Sequence, residues 1–250
     1  DLLRKSHTLG HNSTQQCFLD RNMINIIKGN IFTSKCQTLV NTINTQGVMG
    51  AGIALEMRLR YPEMFLKYKS LCERKLIEIG KLWIYDVSSE RQILNFPTKT
   101  NWKQPSKVEY LAKGLRKFVD TYEEKKIKSI AFPLLGADKG GLDQDYVIEL
   151  MTREMEGVII PVEIYQYDHL AQDDIADIFV KRFRSRNESE LKALGFTNSA
   201  IRKINQILMS IEIRNLGQLA SQEGIGIKTL ETCYLLAMKN DLRANLTLFD

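Results

Sequence analysis

The sequence predicts an α/β layered sheet followed by a small all-α region, and three observations support this. Short apolar runs alternate with amphipathic stretches between Met23 and Tyr167. Two glycine-rich segments each follow an apolar run and precede a helical pattern. Beyond about Asp168 only helical patterns remain. Strands that alternate with helices indicate a sheet covered by helices, whereas a purely helical stretch indicates a separate unit.

The strands are predicted from short apolar runs that are bounded by polar residues, glycine or proline. In chain order they cover residues 24–27, 38–43, 82–87, 92–96, 129–134 and 158–167. The short polar turn 88–91 separates the third run from the fourth. Such a turn indicates that these two strands pair with each other.

The helices are predicted from apolar residues that recur with helical spacing. In the first part of the chain they cover residues 53–60, 63–72, 108–124 and 146–155. In the last part they cover residues 175–186, 188–194, 200–209 and 229–238, with breaks at Gly195, 215–217 and 224–226. We therefore predict a first domain over residues 23–170 and a helical domain over residues 171–250.

The first 22 residues are polar and lack periodicity, and Met23 then opens an apolar strand. We expect residues 1–22 to be a leader that is non-native or disordered, so they are excluded from the fold prediction.

The composition is that of an ordinary globular protein. The chain has 250 residues, of which 44% are apolar and 26% charged. Its net charge of +5 is compatible with an anionic partner but does not require one. No apolar run reaches the roughly 20 residues needed to span a bilayer, and no secretory signal is visible. We expect a cytoplasmic protein with no membrane partner.

Metal-dependent and serine-triad mechanisms are disfavoured. The four cysteines (Cys17, Cys36, Cys72 and Cys233) form no CxxC pair, and no acidic or histidine cluster has metal-ligand spacing. We expect reduced, mostly buried thiols, no metal and no cofactor. His169 is the only histidine after the leader and lies at the predicted domain end, which argues against a Ser-His-Asp triad.

The first glycine-rich segment, 41–55, reads Asn-Thr-Ile-Asn-Thr-Gln-Gly-Val-Met-Gly-Ala-Gly-Ile-Ala-Leu. Backbone N–H groups at glycines and at a helix N-terminus bind anions such as a pyrophosphate. Asn44 stands at the end of the preceding strand, where open α/β sheets bind ligands. A strand–turn–helix corner without a ligand is the alternative, because one such loop is a weak motif.

The second glycine-rich segment, 132–143, reads Phe-Pro-Leu-Leu-Gly-Ala-Asp-Lys-Gly-Gly-Leu-Asp and also lies between a strand and a helix. Two loops in matched contexts suggest one extended ligand that has two phosphates. Near the first strand, the segment Gly29-Asn30-Ile31 offers a small polar side chain, Asn30, that could contact an adenine, although Gly-Asn is also a common turn.

Together these segments resemble the macro domain family over residues 23–168. Two segments resemble the DNA ADP-ribosyl glycohydrolase antitoxins of the DarG type most closely. They are residues 47–54, Gly-Val-Met-Gly-Ala-Gly-Ile-Ala, and residues 95–102, Asn-Phe-Pro-Thr-Lys-Thr-Asn-Trp. These antitoxins are similar in turn to the lysine-dependent terminal ADP-ribose glycohydrolases. The resemblance implies a three-layer α/β/α fold with a mixed sheet and ADP-ribose as ligand or product.

The resemblance also implies roles for individual residues. Lys99 matches the essential lysine of these glycohydrolases, Asp143 matches an acidic residue of the terminal enzymes, and Asn44 would face the distal ribose. Asn30 would contact adenine where most macro domains carry Asp, and Ile31 would lie against the base. The implied ADP-ribose-binding set comprises Gly29, Asn30, Ile31, Asn41, Gly47, Val48, Met49, Gly50, Gly52, Ile53, Thr98, Trp102, Gly136, Ala137, Lys139, Gly140, Gly141 and Leu142.

The chemistry of a glycosidic bond fits a lysine at this position. Its cleavage passes through an oxocarbenium-like state. Lys99 could attack the sugar carbon if a dry site lowered its pKa, or it could stay charged and stabilise the leaving group. Alternatives stay open: Lys99 as a surface lysine, Asp143 as a helix N-cap, and Trp102 either as a base-stacking residue or as a structural anchor.

The helical region contains one weak functional motif. The segment 223–229, Glu-Gly-Ile-Gly-Ile-Lys-Thr, resembles the hairpin of helix-hairpin-helix domains, which bind nucleic-acid phosphates through backbone amides. A simple helix–helix turn and a surface for a cognate toxin are the alternatives.

The leading hypothesis is therefore a glycohydrolase that removes ADP-ribose from DNA or another ADP-ribosylated macromolecule, as the antitoxin of an ADP-ribosylating toxin. A non-catalytic ADP-ribose-binding module and a hydrolase of ADP-ribosylated protein or of ADP-ribose esters are the alternatives.

Overall fold

The computed structural model describes residues 23–238. The predicted leader, residues 1–22, and the last twelve residues of the predicted helical domain lie outside that range. The strands are β1 (Ile24–Gly29), β2 (Thr38–Asn44), β3 (Trp83–Asp86), β4 (Gln92–Lys99), β5 (Ile130–Pro133) and β6 (Val162–Tyr167). The helices are α1 (Gly52–Arg60), α2 (Pro62–Glu73), α3 (Val108–Thr121), α4 (Gln144–Glu154), α5 (Ala176–Arg184), α6 (Glu188–Ala193), α7 (Asn198–Ser210) and α8 (Ile227–Met238).

The six strands form one mixed sheet in the order β1-β6-β5-β2-β4-β3. Every neighbouring pair is parallel except the β3–β4 pair, which is antiparallel as the polar turn 88–91 predicts. The helices α3 and α4 cover one face of the sheet and α1 and α2 cover the other. The predicted three-layer α/β/α fold with a mixed sheet, followed by helices, is confirmed.

Several predicted boundaries differ from the structure, and three of them differ by three residues or more. The last strand begins at Val162 instead of residue 158, directly after Pro161, which lacks the N–H that a parallel ladder needs. Helix α3 ends at Thr121 instead of residue 124, before a turn in which Lys126 has a φ of 55°. Strand β4 runs three residues further than predicted and includes Lys99.

The extension of β4 through Pro97 has a simple cause. Strand β3 pairs with β4 only at residues 92–95, so β4 beyond that point has a neighbour on one side only, β2. Proline is tolerated where a strand edge is open, because no ladder hydrogen bond is lost. Lys99 is thereby the last residue of a strand next to the central strand β2.

The helices after β6 share a hydrophobic core with the α/β part. Leu59 of α1 is a member of the cluster that includes Phe179, Phe183, Leu216 and Tyr234. Within residues 171–238 the regular elements are helices, as predicted, together with a 3-10 segment at Leu216–Ser221. Helix α1 is therefore common to both cores.

A buried arginine lies at this junction. The Arg60 side chain is 2% exposed and reaches Glu56 at 3.0 Å, Asp174 at 2.8 Å and Asp173 at 3.7 Å. Its guanidinium also lies over the ring of Phe32, 3.8 Å from the centroid. Asp173 in turn accepts hydrogen bonds from the backbone of α5 and of the 3-10 segment. The network ties α1 to the helices that follow the sheet.

No helix within residues 23–238 combines the length and the apolar character needed to cross a membrane.

Candidate active site

The candidate site lies where three parallel strands end. Strand β2 ends at Asn44, β4 ends at Lys99 and β5 ends at Pro133, and these strands lie side by side. Asn44 is paired with Lys99 across the β2–β4 ladder. Both glycine-rich loops begin at this edge, which is where open α/β sheets bind ligands.

The side chain of Asn44 shapes the first loop. Its Oδ1 accepts hydrogen bonds from the backbone N–H groups of Gln46 (2.9 Å) and Val48 (3.3 Å), and its Nδ2 donates to the Val48 carbonyl. The Tyr68 hydroxyl donates to the Asn44 carbonyl at 2.6 Å, and burial raises the pKa of Tyr68, which keeps this donor protonated. Asn44 is 6% exposed, so its amide is largely committed to the loop.

The first loop needs glycine at residue 47, whose φ of +80° lies in the left-handed region. Gly50 and Gly52 are exposed, and Val48 and Ile53 are partly buried. The loop leads directly into α1, so the N-terminus of that helix faces the strand ends. The backbone N–H groups there are available for an anion.

The structure does not bring two predicted ligand residues to this surface. The Asn41 side chain is fully buried and donates to Oδ1 of Asn95 at 2.8 Å. Met49 is 1% exposed and belongs to the core cluster between the sheet and α1 and α2. The Met49 backbone, and not its side chain, is what the loop presents.

The second loop is tightly folded. A Cβ atom at Gly140 would lie 2.1 Å from the Gly136 carbonyl oxygen, so a larger residue cannot occupy this position without moving the backbone. The Leu142 N–H donates to the same carbonyl at 3.0 Å. Ala137 is partly buried, while Lys139 and Gly141 are exposed.

The two loops face each other. A Cβ atom at Gly52 in the first loop would lie 3.7 Å from Cγ of Lys139 in the second. Loops in this arrangement can hold the two phosphates of one ligand between them, as the sequence predicts.

Lys99 connects the strand end to the second loop. Its Nζ donates to the Lys139 carbonyl at 2.6 Å, and the Lys99 carbonyl accepts from the N–H of Thr45 in the first loop. Burial lowers the pKa of Lys99. The preceding residue, Thr98, is 4% exposed, so its side chain is mostly withdrawn from the surface.

The segment 100–107 follows Lys99 and lies between the loops. The Thr45 hydroxyl donates to the Thr100 carbonyl at 2.9 Å, and the Trp102 N–H donates to Gln46 Oε1 at 3.3 Å. At the other end, the Ser106 N–H donates to the Gly140 carbonyl at 3.0 Å. The Trp102 side chain is 49% exposed.

The predicted adenine contacts lie at the end of β1. Oδ1 of Asn30 accepts from the Phe32 N–H at 3.0 Å and so caps a single 3-10 turn, whereas its buried Nδ2 has no hydrogen-bond partner among residues 23–238. Gly29 is paired with Tyr167 of β6. Ile31 is 6% exposed, so little of its side chain is available to a base.

Asp143 is the N-cap of α4, and its Oδ1 accepts from the Tyr146 N–H at 2.9 Å. The capping alternative is therefore confirmed. The side chain is exposed and follows the second loop directly, so its second carboxylate oxygen remains available for another role.

Three residues of the site were not predicted. Tyr68 of α2 donates a hydrogen bond to Asn44 at the start of the first loop, and Gln46 accepts one from the Trp102 N–H. The buried hydroxyl of Ser106 lies against Gly136 of the second loop. Each acts through a contact between segments that are distant in sequence, which leaves no local pattern. Among residues 23–238 no group of three His, Cys, Asp or Glu side chains could hold a metal ion.

Residues 40–151 match the family model described as "Macro domain". A DNA ADP-ribosyl glycohydrolase of Thermus aquaticus is 31% identical over 214 residues, which cover 84% of this chain and 59% of that protein. Because 214 aligned residues are more than the 170 residues that precede the helical domain, the match extends into the helical region. This chain spans roughly half the length of the curated DNA ADP-ribosyl glycohydrolases it matches.

Two solved structures are similar to this fold. The macrodomain of Mycobacterium tuberculosis DarG is 38% identical, with a TM-score of 0.55, and the match covers 57% of this chain and 97% of that one. Thermosipho africanus DarTG in complex with ADP-ribose is 35% identical with a TM-score of 0.55, and the match covers 58% of this chain and 41% of that one.

Proposed function

Because this chain belongs to the macro domain family and is homologous to DNA ADP-ribosyl glycohydrolases, we propose that it binds ADP-ribose and hydrolyses it from ADP-ribosylated DNA. The single observation on which the proposal rests is the position of Lys99. Its amine lies at the strand ends between two glycine-rich loops, in surroundings that lower its pKa. A protein that only binds ADP-ribose needs no reactive amine there.

The two loops are the proposed diphosphate site. They face each other across a short gap, and the first leads into the N-terminus of α1. Backbone N–H groups and the helix dipole favour an anion at such a place. The similar protein of Thermosipho africanus has been solved in complex with ADP-ribose, which supports the choice of ligand.

The adenine is placed at the end of β1. The Nδ2 of Asn30 is buried without a hydrogen-bond partner among the described residues, and a buried donor without a partner costs free energy. A ring nitrogen of the base would supply the missing acceptor. Asn30 offers an amide where most macro domains offer a carboxylate, so this contact lacks the charge-assisted hydrogen bond.

Lys99 is the proposed catalytic residue at the other end of the ligand. Cleavage of the bond to the distal ribose passes through an oxocarbenium-like state. A neutral amine can attack that carbon, whereas a charged amine can stabilise a departing anionic group. Both roles use the same atom, Nζ, at the strand end.

The protein as a whole is proposed to act as the antitoxin of an ADP-ribosylating toxin. One relative, from Thermosipho africanus, is described as a fusion of a DNA ADP-ribosyl transferase and a DNA ADP-ribosyl glycohydrolase. In this proposal residues 23–170 contain the catalytic site, and the helical domain from residue 171 onward contacts the cognate toxin or the substrate.

The direct test measures release of ADP-ribose from an ADP-ribosylated single-stranded oligonucleotide by the full chain, beside an ADP-ribosylated protein as second substrate. We expect release from the oligonucleotide. Tight ADP-ribose binding by calorimetry without release from either substrate would replace the enzyme by a non-catalytic binding module. Release from the protein alone would move the substrate to ADP-ribosylated protein.

A second prediction separates the two roles of Asp143. Asparagine is as good an N-cap as aspartate, whereas replacement of a capping residue by alanine costs about 1 kcal/mol. We expect Asp143→Asn to keep the thermal stability and to lower the rate of release, because the amide cannot act as a base. Asp143→Ala should lower both. An unchanged rate in Asp143→Asn would leave Asp143 with the capping role alone.

A further inference from the structure

The segment 100–107 combines an exposed aromatic ring with positive charge beside the candidate site. It contains Trp102, Lys103 and Lys107, and the sequence has no Asp or Glu between Arg91 and Glu109. Lys103 Nζ lies 5.3 Å from the centroid of the Trp102 ring. An aromatic face next to cationic groups is the combination that binds single-stranded nucleic acid.

The segment has a defined position relative to the reacting end of the ligand. Trp102 follows Lys99 by three residues, so their Cα atoms are at most about 11 Å apart. The Thr45 hydroxyl of the first loop donates to the Thr100 carbonyl, and the Trp102 N–H donates to Gln46 Oε1 of the same loop. The Ser106 N–H donates to the Gly140 carbonyl of the second loop. A group attached to the distal ribose at Lys99 would leave the cleft beside this segment.

The Trp102 ring is not needed for the core. It is 49% exposed and belongs to no core cluster of the described residues. Trp is enriched at binding interfaces, because its ring combines a large apolar face with a polar N–H group. The backbone N–H of the residue, and not its ring, makes the contact with Gln46.

The positive charges of the segment are available as well. Lys103 lies beside the ring, and Lys107 is 56% exposed. Among the described residues, Lys107 forms an ion pair only with Glu109, at 3.8 Å, and both side chains are exposed. An exposed pair of this kind is weak, so Lys107 can still contact a phosphate.

We propose that Trp102 stacks on a base of the single-stranded nucleic acid to which the ADP-ribose is attached, while Lys103 and Lys107 contact its phosphates. The segment 100–107 thereby selects nucleic-acid-linked over protein-linked ADP-ribose. A duplex fits less well, because its bases are stacked on each other and must be unstacked first. The inference builds on the proposed function, and its first test does not depend on catalysis.

The first test uses intrinsic fluorescence. The chain has only two tryptophans, Trp83 and Trp102, so Trp83→Phe leaves Trp102 as the sole indole. Titration with an unmodified single-stranded oligothymidylate is expected to quench this fluorescence, and added salt should weaken the effect. Quenching that is absent, or that is equal with polyglutamate, would overturn the proposal, because stacking on a base requires a nucleobase.

The second test uses release of ADP-ribose. A stacked base contributes about 1–3 kcal/mol, so Trp102→Ala should raise KM for an ADP-ribosylated oligonucleotide about 5- to 150-fold. Trp102→Phe should retain most of the affinity. The thermal unfolding temperature should not change in either variant. Trp102 is half exposed, so its replacement leaves the core intact.

The two tests distinguish the inference from the function it builds on. Normal release with an unchanged KM in Trp102→Ala would overturn the base contact and leave the glycohydrolase in place. Quenching of Trp102 by the oligonucleotide without release would support the base contact and contradict the glycohydrolase.

Discussion

Replacement of Lys99 by alanine is expected to lower ADP-ribose release from ADP-ribosylated DNA by at least about a hundredfold. The reason is that Lys99 Nζ is the proposed cationic or nucleophilic group at the strand ends, and loss of one well-placed catalytic group typically costs about 10²–10⁴ in rate. Binding of ADP-ribose should persist, because the proposed phosphate contacts come from backbone groups of the two loops. Single-turnover release and calorimetry measure the two effects separately.

A matched control for this change is Lys128→Ala. Lys128 is an exposed lysine that precedes β5, at the opposite end of the strand from the candidate site. Its removal should leave both release and binding unchanged. Equal release by Lys99→Ala and by the unaltered protein would contradict the assignment of Lys99 and, with it, the main support for catalysis.

The pH dependence of release distinguishes the two roles of Lys99. Burial lowers its pKa below the ordinary value of 10.5, which makes the neutral amine available at lower pH. If the neutral amine attacks the ribose, the rate rises with pH up to the lowered pKa, and borohydride traps an imine. If the charged amine stabilises the leaving group, the rate falls over the same range and nothing is trapped.

Replacement of Arg60 by alanine is expected to lower the free energy of unfolding by about 3–5 kcal/mol, which is the usual cost of removing one partner from a buried ion pair. Glu56, Asp173 and Asp174 would lose their common cation. Burial already raises the pKa of Glu56, and Arg60 opposes that effect, so the variant would raise it further. For a chain of this length the melting temperature should fall by about 6–20 °C.

The control for Arg60 is Arg214→Ala on the surface. Arg214 also pairs with a glutamate, Glu212, at 3.2 Å, but the two side chains are 54% and 77% exposed. Exposed pairs contribute about 0–1 kcal/mol, so this variant should unfold within about 4 °C of the unaltered protein. Equal losses in the two variants would mean that the network at the junction contributes no more than a surface pair.

The elements that position the site could be predicted because they depend on local patterns. An apolar run that ends in Asn44, followed by glycines and a helical pattern, indicates a strand, a loop and a helix without knowledge of the rest of the chain. The same holds for the second loop and for the helices after residue 171. The positions of Lys99 and Asp143 come from the family resemblance, because a lone lysine or aspartate has no local signature.

Other features depended on neighbours that no local pattern reveals. The family resemblance implied ligand contacts for Asn41 and Met49, but the sheet pairs Asn41 with Asn95, and the core encloses the Met49 side chain. Strand β4 passes through Pro97 because β3 stops short of it. Each outcome was decided by which segment lies alongside, and that is set by the order of strands in the sheet.

The sequence by itself determined the fold class, the two glycine-rich loops and the change from α/β to helical structure, because periodicity and turn chemistry act within a few residues. Only the tertiary structure decided that Lys99 reaches the second loop, that segment 100–107 lies between both loops, and that α1 shares a core with the helices after β6. Contacts between segments distant in sequence form only when the sheet brings strand ends together and buries apolar faces against one another.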